Sequence, residues 1–326
     1  MTQPHRVLVT GAPGFIGRVV CARLERHGIG VVRHARRVAD DVPGGAAADV
    51  IGDIAGPIDW RPWLDGVDAV VHLAAVTHSG GLRARRARAH YFTVNVDATR
   101  ALAEQARECG VRRFVYLSSI KASGERSARD GATFRALSAA DPPAPEDNYG
   151  RSKLAAERAL AGICAEAPMD AIALRPPLVY GPGVRGNFAR LLDLIARGVP
   201  LPFAAVDNRR SLIYVDNLAG AIECALNSAR APGLHSYTLA DVTVSTPMLV
   251  RGLAEALGVP ARLVRVPSSV LALLARLPGP GAALSRLTGN LVVDADAARR
   301  ELDWHPEADA ATGFAATARW FREHRR

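Results

Sequence analysis

The apolar run Val7-Leu8-Val9 leads directly into Thr10-Gly11-Ala12-Pro13-Gly14-Phe15-Ile16-Gly17, and an amphipathic segment follows to about residue 27. No other stretch narrows the choice of fold as far. A strand, a glycine turn and a helix in that order open a doubly wound α/β sheet, with backbone N–H groups and the positive helix end available to a pyrophosphate. Gly11 permits the turn, Gly14 lets the backbone approach phosphate oxygens, and Gly17 lets the helix lie against the strand. Three glycines alone also occur in ordinary loops. The strand before them and the helix after them give the spacing its meaning.

The first half of the chain repeats this alternation. Short apolar runs at residues 6–10, 30–35, 48–52, 69–74, 114–118 and 171–174 read as strands, and residues 14–27, 88–109 and 149–164 read as helices. Strands alternating with helices predict a parallel sheet covered on both faces. Residues 126–147, rich in Ala, Pro and Asp, read as an irregular loop. Beyond Arg175-Pro176-Pro177, Pro and Gly punctuate shorter elements. A strand at 212–215 and a helix at 216–229 bring the chain back toward the first unit. The expected division is 1–175 for a dinucleotide-binding domain, with 212–240 returning to it, and 176–211 plus 241–326 for a smaller lobe.

Composition excludes several classes. The 326 residues are 49% hydrophobic, enough for a substantial core. The net charge of +9 raises the question of nucleic acid, and much of the excess is arginine, as at Arg83, Arg85, Arg86 and Arg88. A solvated helix face accounts for that run, and no nucleic-acid-binding pattern accompanies it. Cys21, Cys109, Cys164 and Cys224 lie far apart without CxxC spacing, so neither a disulfide framework nor a metal site is expected. No segment reaches the ~18 apolar residues of a membrane span, the longest run being 270–277. A soluble cytoplasmic protein without a membrane partner is expected.

Tyr149 and Lys153 stand four residues apart on a predicted helix and therefore share a face. A nearby ammonium favours a phenolate, which suits general acid–base work. This spacing is common by chance. Leu117-Ser118-Ser119 adds to it, because it ends a predicted parallel strand at the sheet edge where ligands gather. A serine there either caps a turn or hydrogen-bonds a substrate carbonyl, and its position after the nucleotide loop and before the Tyr/Lys pair favours the second role.

These segments, with Gly52-Asp53-Ile54, Val71-His72-Leu73-Ala74-Ala75, Asn95-Val96-Asp97-Ala98-Thr99, Arg175-Pro176-Pro177-Leu178-Val179-Tyr180-Gly181-Pro182, Arg210-Ser211-Leu212-Ile213-Tyr214-Val215-Asp216 and Leu302-Asp303-Trp304-His305-Pro306, span nearly the whole chain. Together they resemble the extended short-chain dehydrogenases/reductases, the NAD-dependent epimerase/dehydratase family that acts on nucleotide sugars. The resemblance implies a Rossmann fold with a smaller C-terminal substrate lobe. It also implies cofactor contacts from Gly11, Pro13, Gly14, Phe15, Ile16 and Gly17. Asp53 and Ile54 would meet the adenine, and Leu73, Ala74 and Ala75 the cofactor's central part. Asn95 and Ser118 would stand close by, with Pro176 and Leu178 at the nicotinamide. Tyr149 would be the acid–base, Lys153 would hold the ribose, and Ser119 the substrate oxygen. Lys121, Asn187 and Arg210 would contact the nucleotide sugar, with Arg209 as a substitute for Arg210, whose guanidinium fork suits phosphate. Family members pair as homodimers through helices matching 88–109 and 149–164, where Ala98, Ala101, Ala155, Ala156 and Ala159 would allow close approach.

Two departures sort the possibilities. NAD-specific members carry Asp or Glu at the end of the second strand, where this chain has Ala35 followed by Arg36 and Arg37. That suits the 2′-phosphate of NADP, with NAD as the alternative if the arginines are merely exposed. The 4,6-dehydratases follow the active-site Ser or Thr with Asp-Glu, whereas Ile120-Lys121 follows Ser119. A dehydratase is disfavoured. A 4-ketosugar reductase and a 4-epimerase remain. Ser119-Ile120-Lys121 with Arg209-Arg210-Ser211-Leu212 resembles enzymes of bacterial surface-polysaccharide synthesis. The reading leans to a UDP-4-keto-6-deoxy-hexosamine 4-reductase. The alternative is a UDP-glucose or UDP-N-acetylglucosamine 4-epimerase with tightly held NAD. A non-catalytic regulator that senses NAD(P) would typically lack the Tyr149/Lys153 pair.

Overall fold

A computed structural model describes residues 4–37, 49–77, 84–130, 133–166, 168–274 and 280–324. Its strands are β1 (Arg6–Thr10), β2 (Gly30–Ala35), β3 (Val50–Ile51), β4 (Ala69–His72), β5 (Arg113–Leu117) and β6 (Arg129–Asp130). They continue with β7 (Thr133–Phe134), β8 (Asp170–Arg175), β9 (Leu178–Tyr180), β10 (Arg210–Tyr214), β11 (Gly233–Thr238) and β12 (Val242–Val244). The helices are α1 (Phe15–Arg26), α2 (Arg61–Leu64), α3 (Ala84–Phe92), α4 (Ala98–Glu108), α5 (Asn148–Ala165) and α6 (Gly186–Ala196). After them come α7 (Val215–Asn227), α8 (Thr246–Leu257), α9 (Ser268–Leu274), α10 (Pro280–Thr288), α11 (Asp296–Leu302) and α12 (Ala310–His324).

Seven strands form a parallel sheet in the order β11-β8-β5-β4-β1-β2-β3. Successive side chains alternate between its faces. Val7, Val9, Val71, Val115 and Ile172 pack with α1 and α7. Leu8, Val70, Phe114, Tyr116 and Ala171 pack with α4 and α5. Because both faces are covered, these strands read as continuous apolar runs rather than alternating ones. The chain moves one way from β1 to β2 and β3, then the other way to β4, and the crevice at that switch opens beyond the strand carboxyl ends. Thr10 pairs with both His34 and His72, and Leu117 with Leu174. The glycine loop, Leu73-Ala74, Ser118-Ser119 and Pro176 therefore emerge along one edge.

The expected strands at 6–10 and 30–35 match β1 and β2, while β3 is a short part of 48–52. The expected helix 88–109 starts earlier, at Ala84, and a π turn over Thr93–Asp97 separates α3 from α4. The loop 126–147 contains the small antiparallel pair β6–β7. The strand expected at 212–215 is β10, which pairs with β9 and β12 in a separate three-stranded sheet. The chain returns to the main sheet through α7, packed on α1, and β11, paired with β8. The core of the second lobe gathers Tyr180, Phe188, Leu192, Leu212, Leu253 and Phe314.

Among the arginines of the basic run, Arg83 and the side chain of Arg85 lie outside the described residues, and Arg86 and Arg88 are exposed on α3. No helix among the described residues is long and apolar enough to cross a membrane. All four cysteines are free, and no metal-binding cluster occurs among the described residues.

Candidate active site

The glycine loop is held by contacts that admit no larger residue. Gly11 has φ 70°, and a Cβ there would lie 3.1 Å from the Ala74 nitrogen. A Cβ on Gly17 would lie 2.2 Å from the Gly11 carbonyl oxygen, so α1 could not rest on the loop. Gly14 caps α1 without any side-chain hydrogen bond. Unpaired N–H groups at an open helix start are the partner a pyrophosphate requires, so the loop fits a dinucleotide. Pro13 and Gly14 shape the loop, while Phe15 and Ile16 pack into the second-lobe core and tie the two lobes together at this point.

A buried polar chain runs from this loop to α5. The Thr10 hydroxyl accepts from the Leu73 and Ala74 N–H groups, both at 3.1 Å, and faces His72 Nδ1 at 2.7 Å. His72 Nε2 lies 2.9 Å from the Thr99 hydroxyl, which donates to the Asn95 carbonyl. Since Thr10 Oγ1 already accepts twice, its proton goes to Nδ1, and Nε2–H donates onward. Burial pushes the His72 imidazolium down to about 3, so the ring is neutral and this order of donors is fixed. Asn95 lies in the π turn, brackets Val76 through its N–H and C=O, and donates to Ser152 Oγ at 3.0 Å. Ser152 in turn donates to the Tyr149 carbonyl at 2.7 Å.

At the end of β5, Ser118 donates to Glu157, which takes a bidentate pair from Arg175. Arg175 also donates to Ser123 Oγ at 3.0 Å, and the Ile120 N–H donates to the Pro176 carbonyl at 2.9 Å. Ser119 sits between these anchors and caps the short turn Ile120–Ala122. Tyr149 stands beside it at the start of α5. A Cβ on Gly150 would lie 2.4 Å from the Lys121 carbonyl oxygen, so a glycine after Tyr149 is what lets α5 reach Ser119. Asp147 caps α5 by accepting from the Gly150 N–H at 2.7 Å.

Lys121, expected at the substrate, is engaged by Asp147 at 2.6 Å and Glu125 at 2.9 Å. Here it braces the start of α5. Burial pushes the Tyr149 phenol up, and the Ser119 hydroxyl pulls it partly back. The expected acidification by Lys153 is not the dominant effect here, because the Lys153 ammonium lies 5.9 Å from the Tyr149 ring centroid. It donates instead to the Leu117 carbonyl at 2.7 Å.

Burial lowers the Lys153 ammonium from 10.5 to about 7, with Glu157 opposing the shift. The unfolded chain keeps this proton up to about pH 10.5, and the folded cofactor-free protein releases it near pH 7. The unfolded state therefore binds more protons between those values, and stability rises with pH there. The penalty is complete below pH 7 and is relieved above it. Lys153→Met should lack this trend, so the wild type should gain melting temperature relative to the variant from about pH 7 to about pH 10. A constant difference across that range would exclude the assignment.

The remaining expected site residues lie on separate elements. Pro176 is buried, whereas Leu178 is 46% exposed and offers an apolar surface. Asp53 is exposed and accepts from the Ala55 N–H in its own turn, beside half-buried Ile54. Ala35 ends β2 and is fully buried, and Arg36 and Arg37 follow it exposed. In the second lobe Asn187 is exposed in the first turn of α6. Arg210 is mostly enclosed, donates to the Gly289 carbonyl at 3.2 Å, and is pushed down to about 10 by burial and by the neighbouring charge of Arg286. Arg209 pairs with Asp207 at 3.1 Å, so Arg210 is the better placed of the two for a phosphate.

Sequence reasoning passed over His72, Asp147, Gly150, Glu157, Arg175 and Arg286 as site residues. Glu157 carried a signal, since it follows Lys153 at the same four-residue spacing. Asp147 carried one too, as an N-cap Asp bonded to the Gly150 N–H three residues on. His72, Gly150, Arg175 and Arg286 act through contacts distant in sequence.

Residues 7–240 match the sequence profile of the NAD dependent epimerase/dehydratase family. The chain is 36% identical over 320 residues to a UDP-glucose 4-epimerase of Vibrio cholerae, covering 98% of this chain and 96% of that protein. It is 29% identical over 337 residues to a ceramide reductase of Caulobacter vibrioides, covering 97% and 94%. The solved structure of MoeE5 in complex with UDP-glucose and NAD superposes with a TM-score of 0.76 at 28% identity, covering 98% and 99%.

Proposed function

The chain belongs to the NAD-dependent epimerase/dehydratase family, and from that premise we propose that it is an NADP(H)-dependent reductase of a UDP-4-keto-6-deoxy-hexosamine, serving surface-polysaccharide synthesis. The observation that carries this reading is the end of β2. Ala35 places no carboxylate there to hold ribose hydroxyls, and two exposed arginines follow it. A cofactor taken up as NADPH and released as NADP⁺ suits a reductase better than an epimerase, which retains NAD.

A nicotinamide dinucleotide supplies the hydride when bound. The chain's own residues hold the other partners and move the proton. Tyr149 protonates the C4 oxygen, with the Ser119 hydroxyl bonded to that same oxygen. Lys153 spends one N–H on Leu117 and has two left for ribose hydroxyls. Arg210 and Arg286, neither paired with a carboxylate among the described residues, hold the diphosphate, with Asn187 nearby. The proposed homodimer would form through α4 and α5, where Ala101 is exposed and Ala98, Ala155 and Ala159 are half-buried. Ala156 is fully buried in the monomer and does not reach that surface.

Replacing both Arg36 and Arg37 by Ala should weaken NADPH binding by about tenfold or more and leave NADH nearly unchanged, because a charge-assisted phosphate contact is worth ~1.5–3 kcal/mol. Titration of both cofactors against both proteins checks this. Equal wild-type affinities for NADH and NADPH would count against the reading.

The second reading, a UDP-glucose or UDP-N-acetylglucosamine 4-epimerase, is favoured by the Vibrio cholerae relative and by the ligands of MoeE5. Nucleotide released from denatured, purified protein discriminates the two. Stoichiometric NAD⁺ would support the epimerase. Nucleotide-free protein that oxidises NADPH with a UDP-4-keto sugar, and does not interconvert UDP-glucose, would support the reductase.

A further inference from the structure

We propose that the second lobe carries a docking face for anionic lipid, formed by α9 and the two segments beside it. Val264, Val270, Leu273 and Leu274 are 43%, 43%, 65% and 42% exposed, and Leu194 and Val199 add 39% and 37%. These positions are connected in space. The Leu201 N–H donates to the Arg262 carbonyl and the Val264 N–H to the Leu201 carbonyl, so the segment after α6 lies beside the one before α9. Leu271 is 4% exposed and anchors the helix, leaving Val270, Leu273 and Leu274 outward. Contiguous exposed leucine and valine mark an interaction surface.

Charge identifies the partner. From residue 256 to residue 293 the sequence contains no Asp or Glu, but it contains Arg262, Arg265, Arg276 and Arg286. Arg262 and Arg265 are exposed beside the apolar residues. The segment bearing α9 offers only cations, and Asp193 beside Leu194 is paired with Arg197 at 2.8 Å. Such a face suits an anionic bilayer, where leucines enter the acyl boundary and arginines meet headgroup phosphates. A two-fold contact between copies through this patch would instead bring like charges together. The helix is far too short to span a bilayer, so the attachment is peripheral and reversible. Arg286 lies in α10, the next helix, and faces Arg210. Docking would therefore hold the substrate lobe at the membrane surface.

The test is co-sedimentation of the full chain with vesicles of phosphatidylcholine alone and of phosphatidylcholine with phosphatidylglycerol. The wild type should partition onto the phosphatidylglycerol vesicles and be released by salt. Leu273→Glu with Leu274→Glu, and separately Arg262→Glu with Arg265→Glu, should each lower the partition coefficient by about tenfold or more. Both should retain the wild-type melting curve by circular dichroism, since these side chains are exposed. Wild-type protein remaining in solution with anionic vesicles would overturn the proposal. So would undiminished binding by the leucine variant, which would mean that general positive charge suffices. Lipid-free self-association that the leucine variant abolishes, without vesicle binding, would reassign the face to a second copy of the chain. None of these outcomes depends on which sugar or cofactor the enzyme uses.

Discussion

Tyr149→Phe is expected to lower turnover by about 10²–10⁴-fold while leaving cofactor affinity unchanged, the loss typical of removing a positioned acid–base group. The variant keeps the ring, which packs near Tyr91 with centroids 6.1 Å apart, and keeps the backbone carbonyl that accepts from Ser152. Only the hydroxyl beside Ser119 disappears. Lys153 retains its bond to Leu117 and its free N–H donors, so a ribose can still be held. The measurement is turnover with a UDP-4-keto sugar and with UDP-glucose, together with a cofactor titration. Near-normal turnover on either would remove Tyr149 from the mechanism, whichever substrate proves correct. A parallel loss of cofactor binding would instead point to a disturbed α5.

Glu157→Ala should produce the largest loss of stability among single changes at the site, about 3–5 kcal/mol. Glu157 and Arg175 are 2% and 5% exposed, and the substitution leaves a buried guanidinium with Ser123 as its remaining side-chain partner. Melting should fall by roughly 10 °C. Replacing both members with methionine should recover much of that stability, because a buried ion pair gains little over well-packed apolar groups once its desolvation is counted. Turnover should not recover with it. Without the pair, Ser118 and Ser123 lose their anchors on either side of Ser119. Thermal melts and assays of the single and double variants separate the two effects. A single variant within about 1 kcal/mol of wild type would show that the pair does not hold this part of the fold.

Features set by residues adjacent along the chain are legible in the sequence. The glycine loop follows from turn sterics, and the contacts at Gly11 and Gly17 are those its spacing implies. Tyr149 and Lys153 share a face because helical periodicity fixes their angular relation. Six of the seven strands of the parallel sheet are visible as apolar runs, because burial on both faces favours them. The edge strand β11, Gly233-Leu234-His235-Ser236-Tyr237-Thr238 and only half-buried over its first four residues, carries no such run and is not among the expected strands. By contrast, β10 reads as a short apolar strand just as β8 does, yet it joins a different sheet. Composition reports that a segment can be a strand, and only the competition among neighbours determines which partner it takes.

The sequence by itself therefore determined the α/β class, the nucleotide loop, the Ser119–Tyr149–Lys153 group and the missing carboxylate after β2, because each is encoded within one turn or one periodic segment. Tertiary structure alone decided the setting in which those residues act. It locked Lys121 against Asp147 and Glu125, brought Gly150 onto Lys121, joined Glu157 to Arg175, and carried the Thr10–His72–Thr99–Asn95 chain between loop and helix. The physical reason is that desolvation and hydrogen-bond pairing depend on distance in space. Whether Lys153 carries its proton depends on the burial around it, and a four-residue spacing along the chain leaves that burial unspecified.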